Sequence, residues 1–248
     1  GHADLTYFKK YGIRDHRGGG RASARETAVR VAGGAFAQLL LNEFKIEVLS
    51  GVLGIGKAIS DKVDFDFAQN SQIYALGNEE AMKEAVNKAR SEHDSVGAVV
   101  LSVAKGVPAG LGEPLYDRLD SALAAALMGI NGVKAVEIGA GVNVSSMMGS
   151  ANNDEMDELG FLSNNAGGIL GGISSGAEIV LKSHFKPTPS IFKEQKTLNL
   201  AGEAVDFELR GRHDPCIGIR GSVVVTAMIR LVIADMLLLN ASTKLENL

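Results

Sequence analysis

The chain has one cysteine, no tryptophan, five prolines and no strong excess of either charge in 248 residues. The single cysteine, Cys216, excludes an intrachain disulfide framework and suits a reducing cytosol, so a cytoplasmic location is expected. Cysteine and histidine are too few at close spacing for a structural zinc site, and no metal is expected. A formal net charge of -4 argues against a general nucleic-acid binder, so any anion site must be a local concentration of arginine. With 30 glycines, the composition favours turns and close backbone approaches over an aromatic-rich surface. Gly1-His2-Ala3-Asp4 lacks the basic region and apolar run of a signal peptide. The chain also lacks an initiator Met and opens inside what reads as a motif, which points to a piece of a longer protein. Gly1-His2 equally fits the remnant of a tag.

At 46% hydrophobic and 22% charged residues the composition is that of an ordinary globular protein, read here as one domain over residues 1–248. Arg17-Gly18-Gly19-Gly20-Arg21-Ala22-Ser23-Ala24-Arg25-Glu26 is its most informative stretch. Ser23 and Glu26 have the spacing of a capping box, and Ala28, Val31, Ala32, Ala35, Phe36, Leu39 and Leu40 follow at helical intervals. A helix N-terminus favours anions, the glycines admit close backbone approach, and three arginines add guanidinium forks for phosphate or carboxylate. The pattern is neither Walker A nor Gly-x-Gly-x-x-Gly after a strand, so an anion site and a plain solvated turn both stand on pattern alone.

Strands are expected at Ile46–Leu49, Val96–Ala104, Val133–Ile138, Ile179–Lys186 and Ala204–Leu209, the last half-buried. Helices are expected at Glu79–Glu92 and Leu119–Met128. Gly51–Lys57 reads as a glycine-punctuated segment, Ser60–Gln69 as a polar surface insertion, and Gly139–Gly172 as a long loop. Ser222–Leu239 approaches the length of a membrane span, but Thr226, Arg230 and Asp235 interrupt it. It reads as a helix buried between layers, with Arg230 and Asp235 paired or at the rim, and no membrane partner is expected. The alternation is irregular and hairpin-like, which gives an α+β fold with helices sandwiched by sheets.

Among five histidines, His2 stands just upstream of the arginine-glycine loop, and His213 lies in Gly211-Arg212-His213-Asp214-Pro215-Cys216. Titratable groups clustered near an anion site are candidates for proton transfer, while a solvated loop with local ion pairs is the plain alternative. Cys216 is the weaker nucleophile candidate, because buried free cysteine is commonly inert packing.

These segments together resemble chorismate synthase. The resemblance runs through His2-Ala3-Asp4, Tyr11–Asp15, Arg17–Thr27, Asp94-Ser95-Val96-Gly97, Gly110–Pro114, Gly132–Gly139, Ser163–Ser174, Lys186-Pro187-Thr188 and Gly211–Cys216, in order over almost the whole chain. It implies a β/α/β sandwich with helices between antiparallel sheets, and a homotetramer in the full-length enzyme. It also implies a lyase that eliminates phosphate and a ring proton from 5-enolpyruvylshikimate 3-phosphate with reduced FMN. NADP is the associated nucleotide, and the source of the reducing equivalents is left open. By resemblance, His2 acts on the reduced flavin and Asp214 works with the flavin in removing the ring proton. Arg21, Ala22, Ser23, Asn131, Gly132, Gly171, Lys186, Pro187, Thr188, Pro189, Ser190 and Arg212 contact FMN, while Arg25 and Arg212 hold substrate.

Three departures from the family pattern stand out. Ala22 replaces a serine, which removes one hydroxyl hydrogen bond and tunes binding. Asn165 stands where many members have histidine. The family's N-terminal Gly-Glu-Ser-His-Gly segment has no counterpart here, so these residues alone are expected to be inactive or barely active. The alternative from another class is a non-catalytic flavin or phosphate-binding module on the same fold.

Overall fold

The computed structural model describes residues 3–15, 17, 20–209 and 213–244. The α-helices in it are α1 (Asp4–Tyr11), α2 (Thr27–Glu43), α3 (Phe65–Asn70), α4 (Glu79–Ser91), α5 (Leu119–Met128), α6 (Gly149–Asn152) and α7 (Gly218–Asn240). The strands are β1 (Glu47–Ile55), β2 (Ala58–Ile59), β3 (Ala98–Lys105), β4 (Val133–Ile138), β5 (Met156–Asp157), β6 (Gly160–Phe161), β7 (Ile169–Leu170), β8 (Ile173–Ser174), β9 (Ile179–Phe185), β10 (Gln195–Leu198) and β11 (Ala204–Phe207).

One antiparallel sheet, in the order β2-β1-β3-β9-β4, organises the chain, and three hairpins (β5-β6, β7-β8 and β10-β11) are attached to it. Along β9 burial alternates with the period of two that a pleated strand imposes. Ile179, Leu181, Ser183 and Phe185 face one way, opposite Ala104, Ser102, Val100 and Ala98 of β3. That face carries the helical layer: α7 packs on β1, β3 and β9 and against α2 and α5, while α5 also covers β4. Val225, Ile229 and Ile233 of α7 join Leu123, Leu127 and Leu181 in the main core. A smaller cluster of Ala68, Leu76 and Leu101 gathers Leu53, Phe65 and Val180 around it.

The architecture is the expected α+β one, with helices layered on antiparallel sheet. Several local expectations need correction. Strand β1 runs on through Gly51 and Gly54, paired with β3, and these positions are glycine because a side chain there would strike Leu76 and Ile59. The polar insertion contains α3, capped by Asp64, whose carboxylate accepts the Phe67 N–H at 2.8 Å. The 139–172 segment is organised by α6, a 3-10 turn and two short hairpins. Hairpin strand β11 is exposed at every residue rather than half-buried.

Within α7, Arg230 and Asp235 do not pair. Asp235 is exposed, while half-buried Arg230 donates weakly to Val48 O at 3.4 Å. Burial pushes the Arg230 guanidinium below its ordinary range, only partly offset by Glu47. On the outer side of α2, Val29, Phe36 and Leu39 are 78%, 75% and 62% exposed, so its apolar residues extend beyond the face that α7 covers.

Candidate anion and cofactor site

The Gly20–Glu26 segment enters α2 through two 3-10 turns, Gly20–Ala22 and Ala24–Glu26. Ser23 Oγ accepts the Arg25 N–H at 3.3 Å. The expected capping box does not form: Ser23 Oγ takes the N–H of Arg25 rather than that of Glu26, and Glu26 turns forward to Arg30 at 2.8 Å instead of reaching back to Ser23. The ion pair with Arg30 one turn on takes the carboxylate that the box would use. Arg21 and Arg25 remain exposed, so their guanidinium groups are available to an anion.

Sheet and helix ends bring four distant segments to this loop. Asn131 Nδ2, just past the end of α5, donates to Ala22 O at 3.3 Å. Lys186 N–H donates to Gly132 O at 2.9 Å, which joins the end of β9 to the start of β4. Ser95 Oγ donates to Thr188 O at 2.6 Å, and Val96 N–H donates to Pro215 O at 2.8 Å. The residues from Ala22 to Ser23, Asn131 to Gly132, Lys186 to Ser190 and His213 to Pro215 therefore form one neighbourhood. Asp214 sits there half-exposed, with Arg220 Nη1 3.0 Å from its carboxylate.

Three buried polar atoms in this neighbourhood have no hydrogen-bond partner: Asn131 Oδ1, Thr188 Oγ1 and His213 Nε2. Buried polar groups are normally satisfied, so orphans concentrated in one place mark where a polar ligand completes the set. A cleft of about 930 Å³ lies elsewhere, between α2, α7 and β1, and is lined by Gln38, Tyr74 and Arg230 among others. None of the candidate residues lines it, so orphaned groups and assembled segments identify the site better than cavity size does.

Gly171 is not part of this neighbourhood. It turns the β7-β8 hairpin, where Gly172 O accepts the first N–H of α5 at 2.8 Å. Asn131 lies past the other end of that helix, on the order of 15 Å away at 1.5 Å rise per residue. His2 and Arg212 lie outside the described residues. Asn165 has a structural role: its N–H donates to Asp154 at 2.7 Å, and its carbonyl accepts from Ala140 at 2.8 Å. Asp154 also accepts from Ala166 N–H and from Ser163 Oγ. Burial opposes the Asp154 charge, yet these donors outweigh it and hold the carboxyl below its usual range.

Cys216 is buried beneath this site, and desolvation pushes its thiol up to about 11 against the opposing N–H groups of Gly218 and Ile219. A thiol held protonated is a poor nucleophile. In native protein at pH 7, Cys216 should resist an aromatic disulfide reagent and react fully after denaturation. Rapid native labelling, read by absorbance, would contradict that burial.

The fold is α+β, and the four segments with their orphaned polar atoms make a candidate site for a polar ligand. A family model described as chorismate synthase matches residues 1–238. A chorismate synthase of Campylobacter concisus is 97% identical over all 248 residues, which cover 70% of that protein. One of Campylobacter curvus is 73% identical with the same coverage. A solved chorismate synthase structure is 31% identical, superposes with a TM-score of 0.81, and is matched over 97% of this chain and 71% of its own. The chain belongs to the chorismate synthase family, which makes it an enzyme of the carbon–oxygen lyase class acting on phosphates.

Proposed function

We propose that the chain serves the anti-1,4-elimination of phosphate from 5-enolpyruvylshikimate 3-phosphate to give chorismate, with reduced FMN, as a cytoplasmic homotetramer in its full-length form. The observation that carries this reading is the set of orphaned atoms on Asn131, Thr188 and His213 at the meeting point of four segments. Such a set fits FMN, whose phosphate, hydroxyls and ring edge offer both donors and acceptors. Ala22, Ser23, Asn131, Gly132, Lys186, Pro187, Thr188, Pro189 and Ser190 would hold it, with Arg212 and, from another part of the fold, Gly171. When bound, reduced FMN supplies the electron-rich ring that no side chain provides.

The chain's own groups do the rest. Arg25 and Arg21 present exposed cations to phosphate and carboxylate, and fixed cations favour charge developing on departing phosphate. Asp214 offers a carboxylate to a proton, and Arg220 restrains its orientation. His2 is assigned a proton-holding role beside the cofactor.

The test is a fluorescence titration with oxidised and reduced FMN, followed by phosphate release from substrate. The apolar outer face of α2 has no cover among the described residues, and the relatives are longer than this chain. These 248 residues alone should therefore bind FMN weakly and release phosphate at or near background. Full turnover would overturn that expectation, and binding without turnover by the extended chain would favour the non-catalytic module.

A further inference from the structure

We propose that His93, Asp94 and Ser95 are positioning residues, forming a clasp that holds the 186–193 strap over the cofactor pocket. This rests on the reading of Lys186 to Ser190 as a cofactor wall. Three consecutive residues make three ties to one segment almost a hundred residues away. The His93 carbonyl accepts the Phe192 N–H at 3.1 Å, and the two rings meet edge-on at 6.4 Å. The Asp94 carboxylate pairs with Lys193 Nζ at 2.6 Å. Ser95 Oγ donates to Thr188 O at 2.6 Å.

The geometry of the α4 terminus puts these residues in place. His93 N–H donates to Arg90 O at 3.1 Å and Asp94 N–H donates to Ala89 O at 2.8 Å. That is the paired pattern of a Schellman end, with His93 in the left-handed position at φ 57°. Glycine takes that conformation freely, whereas a residue with a Cβ is strained there. Here the strained residue is one whose ring and carbonyl both grip the strap. Phe192 then passes the restraint on, since its ring also lies 5.8 Å from that of His213, next to Asp214.

A single exposed ion pair contributes little to stability. Three ties at successive residues instead fix the orientation of a strap that has no sheet partner between Lys186 and Glu194. The clasp thus acts on the site through Thr188 and Phe192, without touching the ligand.

Hydrogen–deuterium exchange of residues 188–193 and FMN affinity, both measured on the chain extended to the length of its relatives, test this. Ser95→Ala and Asp94→Asn should each speed strap exchange by about 3- to 10-fold, the range expected for one lost hydrogen bond, and weaken FMN binding by a similar factor. Ser95→Thr, which keeps the hydroxyl, should behave as the parent. His93→Gly should loosen the strap while leaving the thermal midpoint unchanged or raised, a split that a merely structural role would not produce. Unchanged strap exchange in Ser95→Ala and Asp94→Asn, with β3 exchange as the folding control, would overturn the clasp. Faster strap exchange with undiminished FMN affinity would leave the ties intact but remove Lys186 to Ser190 from the cofactor wall, and the positioning role with it.

Discussion

Asp214→Asn should lower turnover by about 10²- to 10⁴-fold, the usual contribution of a positioned acid or base. The measurement is phosphate release from substrate with reduced FMN, in the chain extended to the length of its relatives. The substitution keeps the shape of the side chain and removes its charge together with its capacity to take up a proton. Its ion pair with Arg220 is solvent-accessible on both sides, at 44% and 77% side-chain exposure, so losing it should leave the fold intact. FMN affinity within a few-fold of the parent would confirm that the loss is chemical. Full turnover by the variant would show that Asp214 has no proton-transfer role.

Gly34→Ala should destabilise the chain by roughly 2 kcal/mol, because inserting atoms into a tight contact costs about 1–3 kcal/mol. Alanine is the better helix former by about 1 kcal/mol, so a gain would ordinarily be expected. At Gly34, however, a Cβ would stand 2.5 Å from both Cα and Cβ of Ala227, where α2 crosses α7. Backbone cannot swing aside as a side chain does, so the helices must separate. Gly33, its neighbour, meets only the flexible end of Leu231 at 3.6 Å. Gly33→Ala should therefore be neutral or stabilising. Thermal melting compares the two variants: about 2–4 °C per kcal/mol for a chain of this size places the Gly34 variant roughly 4–8 °C below the parent. Equal midpoints for both would mean the helix crossing is looser than described.

Much of this molecule was legible in its sequence wherever periodicity ran long enough to register. Leu119–Met128 and Val133–Ile138 were expected from the spacing of apolar residues and are α5 and β4. The misses have physical reasons. Strand β1 was cut short because glycine in a strand reads as punctuation, whereas Gly51 and Gly54 are there to admit Leu76 and Ile59. Helix α3 and the hairpins between 156 and 174 are only two to six residues long, too short for a repeating pattern. Asn165 stood out as a departure from the family pattern, but much of its anchoring is through its own backbone, which the side chain's identity does not disclose.

At the site, resemblance picked out Asn131, Thr188 and Asp214, and the fold brings these three segments together with Ala22. No local pattern could announce that Ser95 meets Thr188, because the pairing spans 93 positions and exists only after β3 and β9 align. The one local hint was a histidine where a helix end usually has glycine.

The order of the central sheet also governs how this protein comes into being. Strand β3 pairs with β9 some eighty positions later, as in Ala98 with Phe185, and β9 then pairs back to β4. Closing such long loops costs chain entropy before any contact repays it, so sheets of this kind form slowly. The segment from Lys186 to Ser190 follows directly on β9, so its ties to Gly132 and Ser95 wait for those pairings. A growing chain therefore lacks the complete pocket until β9 and the segment from His213 to Pro215 have been synthesised.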